Sequence, residues 1–477
     1  MASISPEQPT QFVERPGRGT RPRLLPTAVA VAALFATGNA MAGGLPLSGG
    51  STLGDGSHFD SIYTIGNNPA GLTASPRVGF QMGIVSAGFG YELGDLDNFT
   101  DTFDDTLQDL DDLAFLGTAT AEFDDAEPDE KLDILEELED RFPGLEVDEN
   151  TDKNDLQDFL DERVDQTADN LDASLTSLEE DGYLGLQIHA RPLMPLIVGR
   201  ADAGWAFGVD AALDLHGRLT VLNNGVDQDK LKDGDDDAFE AAAYLQGGQS
   251  IRTSVSGALR VQEHSNRTVH VGGRVNHYDV ELYRTLNHLA GGEEAEDTLS
   301  DDLDDNAESS SSLGFDLGAV YQSSYFTGGV SWLNINEPEF DYPDIETAAY
   351  ADRVPPSESW TMEDQVRFEG ALHDSQHRYT LAVSYDNDSV TDMTGAEYQW
   401  LSYSAAVSMP WYMKWVPDLR LGYRENRTGT ELSYYSLGLN WLGVVSLDVA
   451  LSDETVESGD DDIPRSAYAN LGFQMRF

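Results

Sequence analysis

Polar and apolar residues alternate with a period of two in short segments of this chain, most clearly at the carboxyl end. There Leu471, Phe473, Met475 and Phe477 share one face while Asn470, Gly472, Gln474 and Arg476 share the other. A strand with one apolar and one polar side suits a closed barrel in lipid, because closure satisfies every backbone N–H and C=O without water. Two further segments repeat the pattern: Tyr435, Leu437, Leu439 and Trp441 alternate with Ser436, Gly438 and Asn440, and Val445, Leu447, Val449 and Leu451 with Ser446, Asp448 and Ala450. The first such strand spans 78–91 and sets Val78, Phe80, Met82 and Ile84 against Gly79, Gln81 and Gly83.

After that strand the period becomes helical. Phe99, Phe103, Leu107 and Leu110, then Leu132, Leu135, Leu138 and Phe142, then Leu156, Leu160, Val164, Leu171, Leu175 and Leu178 recur at threes and fours, while the intervening positions are mostly Asp and Glu. Pro143-Gly144 ends the middle helix, and capping residues over 148–155 restart the chain. The pattern predicts two or three amphipathic helices packed on one another, forming a cap over 94–181 that stands outside lipid above the barrel mouth.

Alternation returns at residue 182. The segments 182–191, 204–222, 250–263, 268–283, 313–323, 326–333, 366–372, 379–386, 398–409, 419–425, 431–441, 444–452 and 466–477 bring the expected total to about fourteen strands, an even number as in other single-chain bacterial barrels. Connections alternate long and short in phase with strand number, apart from 426–430, 192–203 and 410–418. The long ones, beginning with 94–181, are expected outside the cell, and both chain ends in the periplasm. The predicted fold is an all-β transmembrane, about 14-stranded antiparallel outer-membrane β-barrel over 76–477, with a small N-terminal hatch over 43–75 and the helical insert over 94–181.

Composition adds a compartment and a habitat. Arg15, Arg18, Arg21 and Arg23 precede an apolar core, Leu24–Phe35, and Ala40-Met41-Ala42, so 1–42 reads as a secretory signal peptide. No later apolar run approaches the roughly 20 residues a helix needs to cross a bilayer, and strands must do any spanning. The mean hydropathy of −0.38 agrees with strands that wet one face. There is no cysteine, which excludes disulfides and thiol chemistry. Asp and Glu number 86 against 28 Lys and Arg, a net charge of −58 that predicts a halophilic, salt-screened protein and argues against nucleic acid as a direct partner.

One stretch carries a family resemblance. Asn67-Asn68-Pro69-Ala70-Gly71 makes a rigid turn just before the first strand. A small hatch with an Asn-Pro-Ala turn, followed at once by barrel strands, resembles the FadL family of hydrophobic-compound channels. The long helical insert after the first strand looks more like the conjugal-transfer TraF-type outer-membrane proteins within that superfamily. The terminal alternation Leu471, Phe473, Met475 and Phe477 resembles the closing strand that the outer-membrane assembly machinery reads.

Enzyme chemistry has no footing here, for there is no His-Glu-x-x-His, nucleophile elbow or phosphate-binding glycine loop. His270 and His277 are an odd number apart and fall on opposite faces of one strand; with His288 they read as lumen or loop residues. The acidic runs Asp233–Asp237, Asp301–Asp305 and Asp460–Asp462 match no EF-hand loop and read as solvated loops. Trp400, Trp411, Trp415 and Trp441 suit an interfacial girdle. The expectation is thus a non-enzymatic protein without cofactor or metal, whose partners are outer-membrane lipid, the assembly machinery and a conjugation or surface protein. Its expected role is a component of plasmid transfer at the cell envelope; the alternatives are a passive channel for hydrophobic small molecules and a structural or adhesive surface barrel.

Overall fold

The computed structural model describes residues 67–74, 79–94, scattered positions between 115 and 142, 153–200, 204–228, 230, 239–264, 266–288, 306–345, 350, 353–354, 358–413, 415–458 and 461–476. The expected signal peptide over 1–42, most of the expected hatch segment, much of the insert and Phe477 lie outside these residues.

Fourteen antiparallel strands close into one barrel. In chain order they are β1 (Phe80–Leu93), β2 (Tyr183–Pro192 continued by Leu196–Arg200), β3 (Trp205–Val226), β4 (Phe239–His264), β5 (Arg267–His288), β6 (Ala307–Ser323), β7 (Phe326–Leu333), β8 (Gln365–His373), β9 (Tyr379–Asp386), β10 (Trp400–Val407), β11 (Asp418–Asn426), β12 (Ser433–Trp441), β13 (Val445–Ser452) and β14 (Ser466–Arg476). Each alternating segment of the sequence is one of these strands. Both pieces of β2 lie between β1 and β3, and β14 closes on β1 from Gln81↔Arg476 to Glu92↔Ser466. Closure leaves no edge, as a lipid environment demands.

The alternation separates two surroundings. On β4, Ile251, Val255 and Leu259 are about half exposed to the outside, whereas Ser250 and Ser254 are fully buried inside. The outward apolar run from Ile251 to Val261 matches the ~9–11 residues a tilted strand needs to span the hydrocarbon. The first strand departs from its sequence pattern. A bulge between Gly83 and Val85 shifts the phase, so Val85 and Phe89 face outward while Ser86 and Glu92 point in.

Strands β3 to β6 run well beyond the lipid span at the end of the barrel that carries the insert; β3 has 22 residues and β4 has 26. The sequence pattern gave these extensions to connections, because there both faces are covered and apolar residues no longer alternate. Val221, Asn223 and Ala241 turn outward above the membrane and need cover. Helix α2 (Lys153–Asp181), which follows the short hatch helix α1 (Gly71–Ala74) in the chain, supplies it. Leu171 and Leu175 pack on Ala241 with Val221 beside them, and Asn223 Nδ2 donates to Asp172 Oδ1 at 2.8 Å and to Thr176 Oγ1 at 3.1 Å. Farther along α2, Leu156, Leu160 and Val164 join Leu116, Leu138 and Phe142 in a core belonging to the insert itself. The expected cap is therefore a buttress at this helix: α2 stands against the outer face of β3 and β4, beside the mouth.

Candidate functional site: a charged lumen between a hatch and a crossing loop

At the end with short turns, the hatch turn sits inside the barrel. Asn68 and Ala70 are completely buried, Pro69 and Gly71 are buried, and Asn67 is half-buried at the start of the turn. Asn68 Oδ1 accepts from the Ala70 backbone N–H at 3.1 Å and Asn68 O from Gly71 N–H at 2.9 Å, so the turn is internally braced. Neighbouring strands make room with glycine. A Cβ on Gly318 would lie 2.1 Å from Asn68 Oδ1, and one on Gly272 would lie 2.5 Å from Ala70 N. Asn68 Nδ2 reaches Val330 O at 3.3 Å, His270 Nδ1 meets Thr73 Oγ1 at 3.0 Å, and Gln322 Nε2 donates to Ala74 O at 2.8 Å. Leu72 fills the remaining apolar contact with Ile197, Ala206 and Ala258.

Above the hatch the inner wall is charged. Asp210 on β3 lies 3.9 Å from Arg191 of β2 and 3.5 Å from Arg252 of β4. Next come Arg274 of β5 and Asp316 of β6, 2.6 Å apart; Asp316 also accepts from Asn276 Nδ2 and the Asn334 backbone N–H, both at 2.8 Å. Around the barrel Arg367 bonds both oxygens of Asp386, at 2.5 and 3.0 Å, and Arg420 Nη2 lies 2.6 Å from Asp448 Oδ1. His189 contacts Asp214. Pairing is what lets these charges be buried, since a lone buried ion costs several kcal/mol. Gln187 Oε1, Asp210 Oδ1 and Ser250 Oγ, on three successive strands, have no protein partner and are left for water or a polar solute.

At the insert end the lumen is crossed by the β9–β10 loop. Val390–Thr391 pairs with Glu397–Tyr398, and Asp392 Oδ1 closes the tip by accepting from Thr394 N–H at 2.8 Å, Thr394 Oγ1 at 2.6 Å and Ala396 N–H at 3.1 Å. The tip touches wall strands far from its own. Met393 O accepts from Gln246 Nε2 of β4 at 3.3 Å, and Asp392 Oδ2 lies 3.4 Å from His216 Nδ1 of β3. Tyr342, from the β7–β8 connection, donates to the same Met393 carbonyl at 2.7 Å. Desolvation pushes the Tyr342 hydroxyl well above the usual tyrosine range, so it remains a donor. Gly248 of β4 leaves space for the Met393 side chain. Where the loop meets the wall, a polar pocket is lined by Glu92, Tyr183, Gln187, His216, Arg218 and Asp392. Glu92 accepts from the Tyr183 hydroxyl at 2.7 Å and the Tyr434 hydroxyl at 3.0 Å.

The other sequence candidates fall as follows. Leu471 and Met475 face outward and exposed, and Phe473 is half-buried opposite Val85 and Val445. His270 points inward and His277 outward, as their spacing requires. Trp441 and Trp415 are exposed, in keeping with a girdle. Trp400 is not part of it: it is buried in the lumen with the Arg424 guanidinium 3.9 Å above its ring. Its parity with the inward Ser402 and Ser404 is the signal that places it there. Among the described residues no His, Asp and Glu cluster is arranged to hold a metal; Asp233–Asp237 and Asp301–Asp305 lie outside them. Sequence reasoning missed the Arg–Asp pairs, whose signal is an arginine at lumen parity across from an aspartate on a neighbouring strand, as with Arg274 and Asp316 or Arg367 and Asp386.

A family model described as "F plasmid transfer operon, TraF, protein" matches residues 66–386, from the hatch turn to the end of β9. The chain belongs to the TraF_2 family. Among solved structures, this TraF_2 protein is similar to a Pseudomonas aeruginosa FadL homologue, at 11% identity over 92% of this chain and 99% of that one, with a TM-score of 0.38. It is also similar to the P. putida toluene transporter TodX, at 9% identity over 86% and 92% of the two chains, with a TM-score of 0.35. No curated protein matches. The TraF_2 chain is a closed fourteen-stranded barrel with an apolar outer face, built as a barrel of the bacterial outer membrane is.

Proposed function

We propose that this TraF_2 barrel is an envelope component of conjugative plasmid transfer, with the folded insert as its partner-facing surface and no enzymatic role. The observation that carries this reading is the buttress: α2 is fixed to β3 by Asn223 and to the β7–β8 connection by the Arg353–Glu179 ion pair. A domain held at a fixed attitude to the barrel is suited to docking a protein, whereas a small-molecule pore needs no such domain. The charged lumen supports the same preference, because a hydrophobic solute gains nothing from displacing water at Arg–Asp pairs. Both barrel ends are periplasmic in this reading, and the insert is outside the cell.

The test uses the close approach of the insert's two ends, where Gly94 N–H donates to Tyr183 O at 2.7 Å. Replacing 95–181 with a short Gly-Ser turn should leave a barrel that still shows heat-modifiable migration, and conjugation frequency should fall sharply with normal solute uptake. Normal conjugation with altered toluene uptake would instead favour the hydrophobic-channel alternative. Protease added to intact cells should cut within 148–155; protection until the outer membrane is permeabilised would reverse the topology.

A further inference from the structure

We infer that the barrel holds a hydrophilic conduit for small polar and zwitterionic solutes, kept shut by the β9–β10 loop. This goes beyond the transfer role and stands independently of it.

Three observations carry it. The first is reach. Strands β2 and β3 lie on the opposite side of the ring from β9 and β10, so a loop that starts at Asp386 and touches His216 and Gln246 spans the lumen. The second is how the loop is held. The tip is rigid within itself through the Asp392 side chain. It is fastened from two sides: by His216, Gln246 and Gly248 on the distant wall, and by Tyr342, Trp360 and Glu363 of the β7–β8 connection, among whose rings Met393 is buried. A preformed hairpin moves as one body when those contacts part.

The third is what lies beyond the loop. Between Gly248, under the tip, and Ala258, beside the hatch, the wall of β4 and its neighbours presents Asp214, Arg191, Arg252, Asp210, Arg274 and Asp316. Both signs of charge alternate down this wall. A solute carrying an ammonium and a carboxylate finds a partner for each, and Gln187 Oε1, Asp210 Oδ1 and Ser250 Oγ offer further acceptors. An apolar solute would have to strip water from these groups without replacing it.

The test is ion and solute flux with the hatch and loop opened separately and together. Purified parent protein, a variant lacking 43–75, a variant in which 390–398 is replaced by Asn-Gly, and the combination are placed in planar bilayers with potassium chloride and in liposomes swollen with glycine. The double variant should conduct several-fold more than the variant lacking only the hatch, and glycine entry should rise in step. Equal conductance in those two, each confirmed as a heat-modifiable barrel, would overturn the inference, as would toluene entry rising with no change in glycine. Should the shortened loop prevent folding, Gln246→Ala with Tyr342→Phe in the hatch-deleted background removes two bonds to Met393 O, and more frequent opening events are expected. Event frequency unchanged from the hatch-deleted parent would count equally against it.

Discussion

Residues 94–181 carry 33 Asp and Glu against four Lys and Arg, whereas the buried charges of the described barrel interior are six arginines and eight acids. The insert places its acids on exposed helix positions such as Asp158, Asp161 and Asp165, where mobile ions screen them within a Debye length of ~3 Å at molar salt. No salt atmosphere reaches Asp316 or Asp448 to the same degree, and each instead has an arginine within 2.6 Å. Molar salt would therefore screen the surface charge, whereas the lumen's charge is met by pairing. Scarce bases are concentrated where only a fixed counter-charge will serve.

The largest expected effect comes from breaking the lumen's balance. Arg274→Ala leaves Asp316 buried with only neutral donors and should cost about 3–5 kcal/mol, read as a lower temperature for loss of heat-modifiable migration. Replacing both residues, Arg274→Met with Asp316→Leu, should recover much of the loss; a double variant as unstable as the single would show that the pair matters for some reason other than charge.

Salt sharpens the contrast next. Barrel stability should fall on transfer from molar to dilute NaCl, and the version lacking 95–181 should lose much of that dependence because it sheds half of the net charge. Equal stability of the parent in both buffers would remove the halophilic reading altogether.

At the hatch, Gly318→Ala pushes a methyl into Asn68 and should destabilise the seated turn by about 1–3 kcal/mol. The expected readout is higher conductance without loss of the barrel; a barrel with unaltered conductance would mean the hatch is not limiting. On the buttress, Asn223→Ala removes the side-chain amide that bonds Asp172 and Thr176 of α2 and should cost ~1–2 kcal/mol locally, seen as faster proteolysis of the insert.

The smallest effect belongs to the β8–β9 turn. Backbone N–H groups of Tyr379, Arg378 and Gln376 hold the Asp374 carboxyl below its ordinary value of 3.8, with burial opposing them. Its contribution is complete above that value and is lost as pH falls through the lowered one. Protection factors of the amides at 376–379, taken relative to the intrinsic exchange rate at each pH, should fall on acidification in the parent and change less in Asp374→Asn.

The barrel was legible because lipid asks that every second residue of a spanning strand be apolar, and strands such as β12 and β13 follow that alternation without a break. Wherever that rule is relaxed, the sequence is mute. Above the membrane β4 runs through Ala241, Ala242 and Ala243, which differ little in polarity although α2 covers one face and loops cover the other. Near Gly83 a single extra residue inverts the faces with no compositional sign. The crossing loop was unreadable for another reason: Asp392-Met393-Thr394-Gly395 looks like any polar turn, and its distinction is the distant wall it meets. The Asn68-Pro69-Ala70 turn was visible as a rigid element, but its seat is made of glycines on β5 and β6, which alternation counts merely as non-apolar.

That seat also orders events during assembly. Asn68 and Ala70 precede β1 in the chain, yet their contacts come from Gly272, Gly318 and Val330 on β5, β6 and β7. None of these surfaces is complete until β5, β6 and β7 have paired with one another. The segment that leaves the ribosome ahead of the whole barrel therefore cannot be seated before strands made well after it have come together.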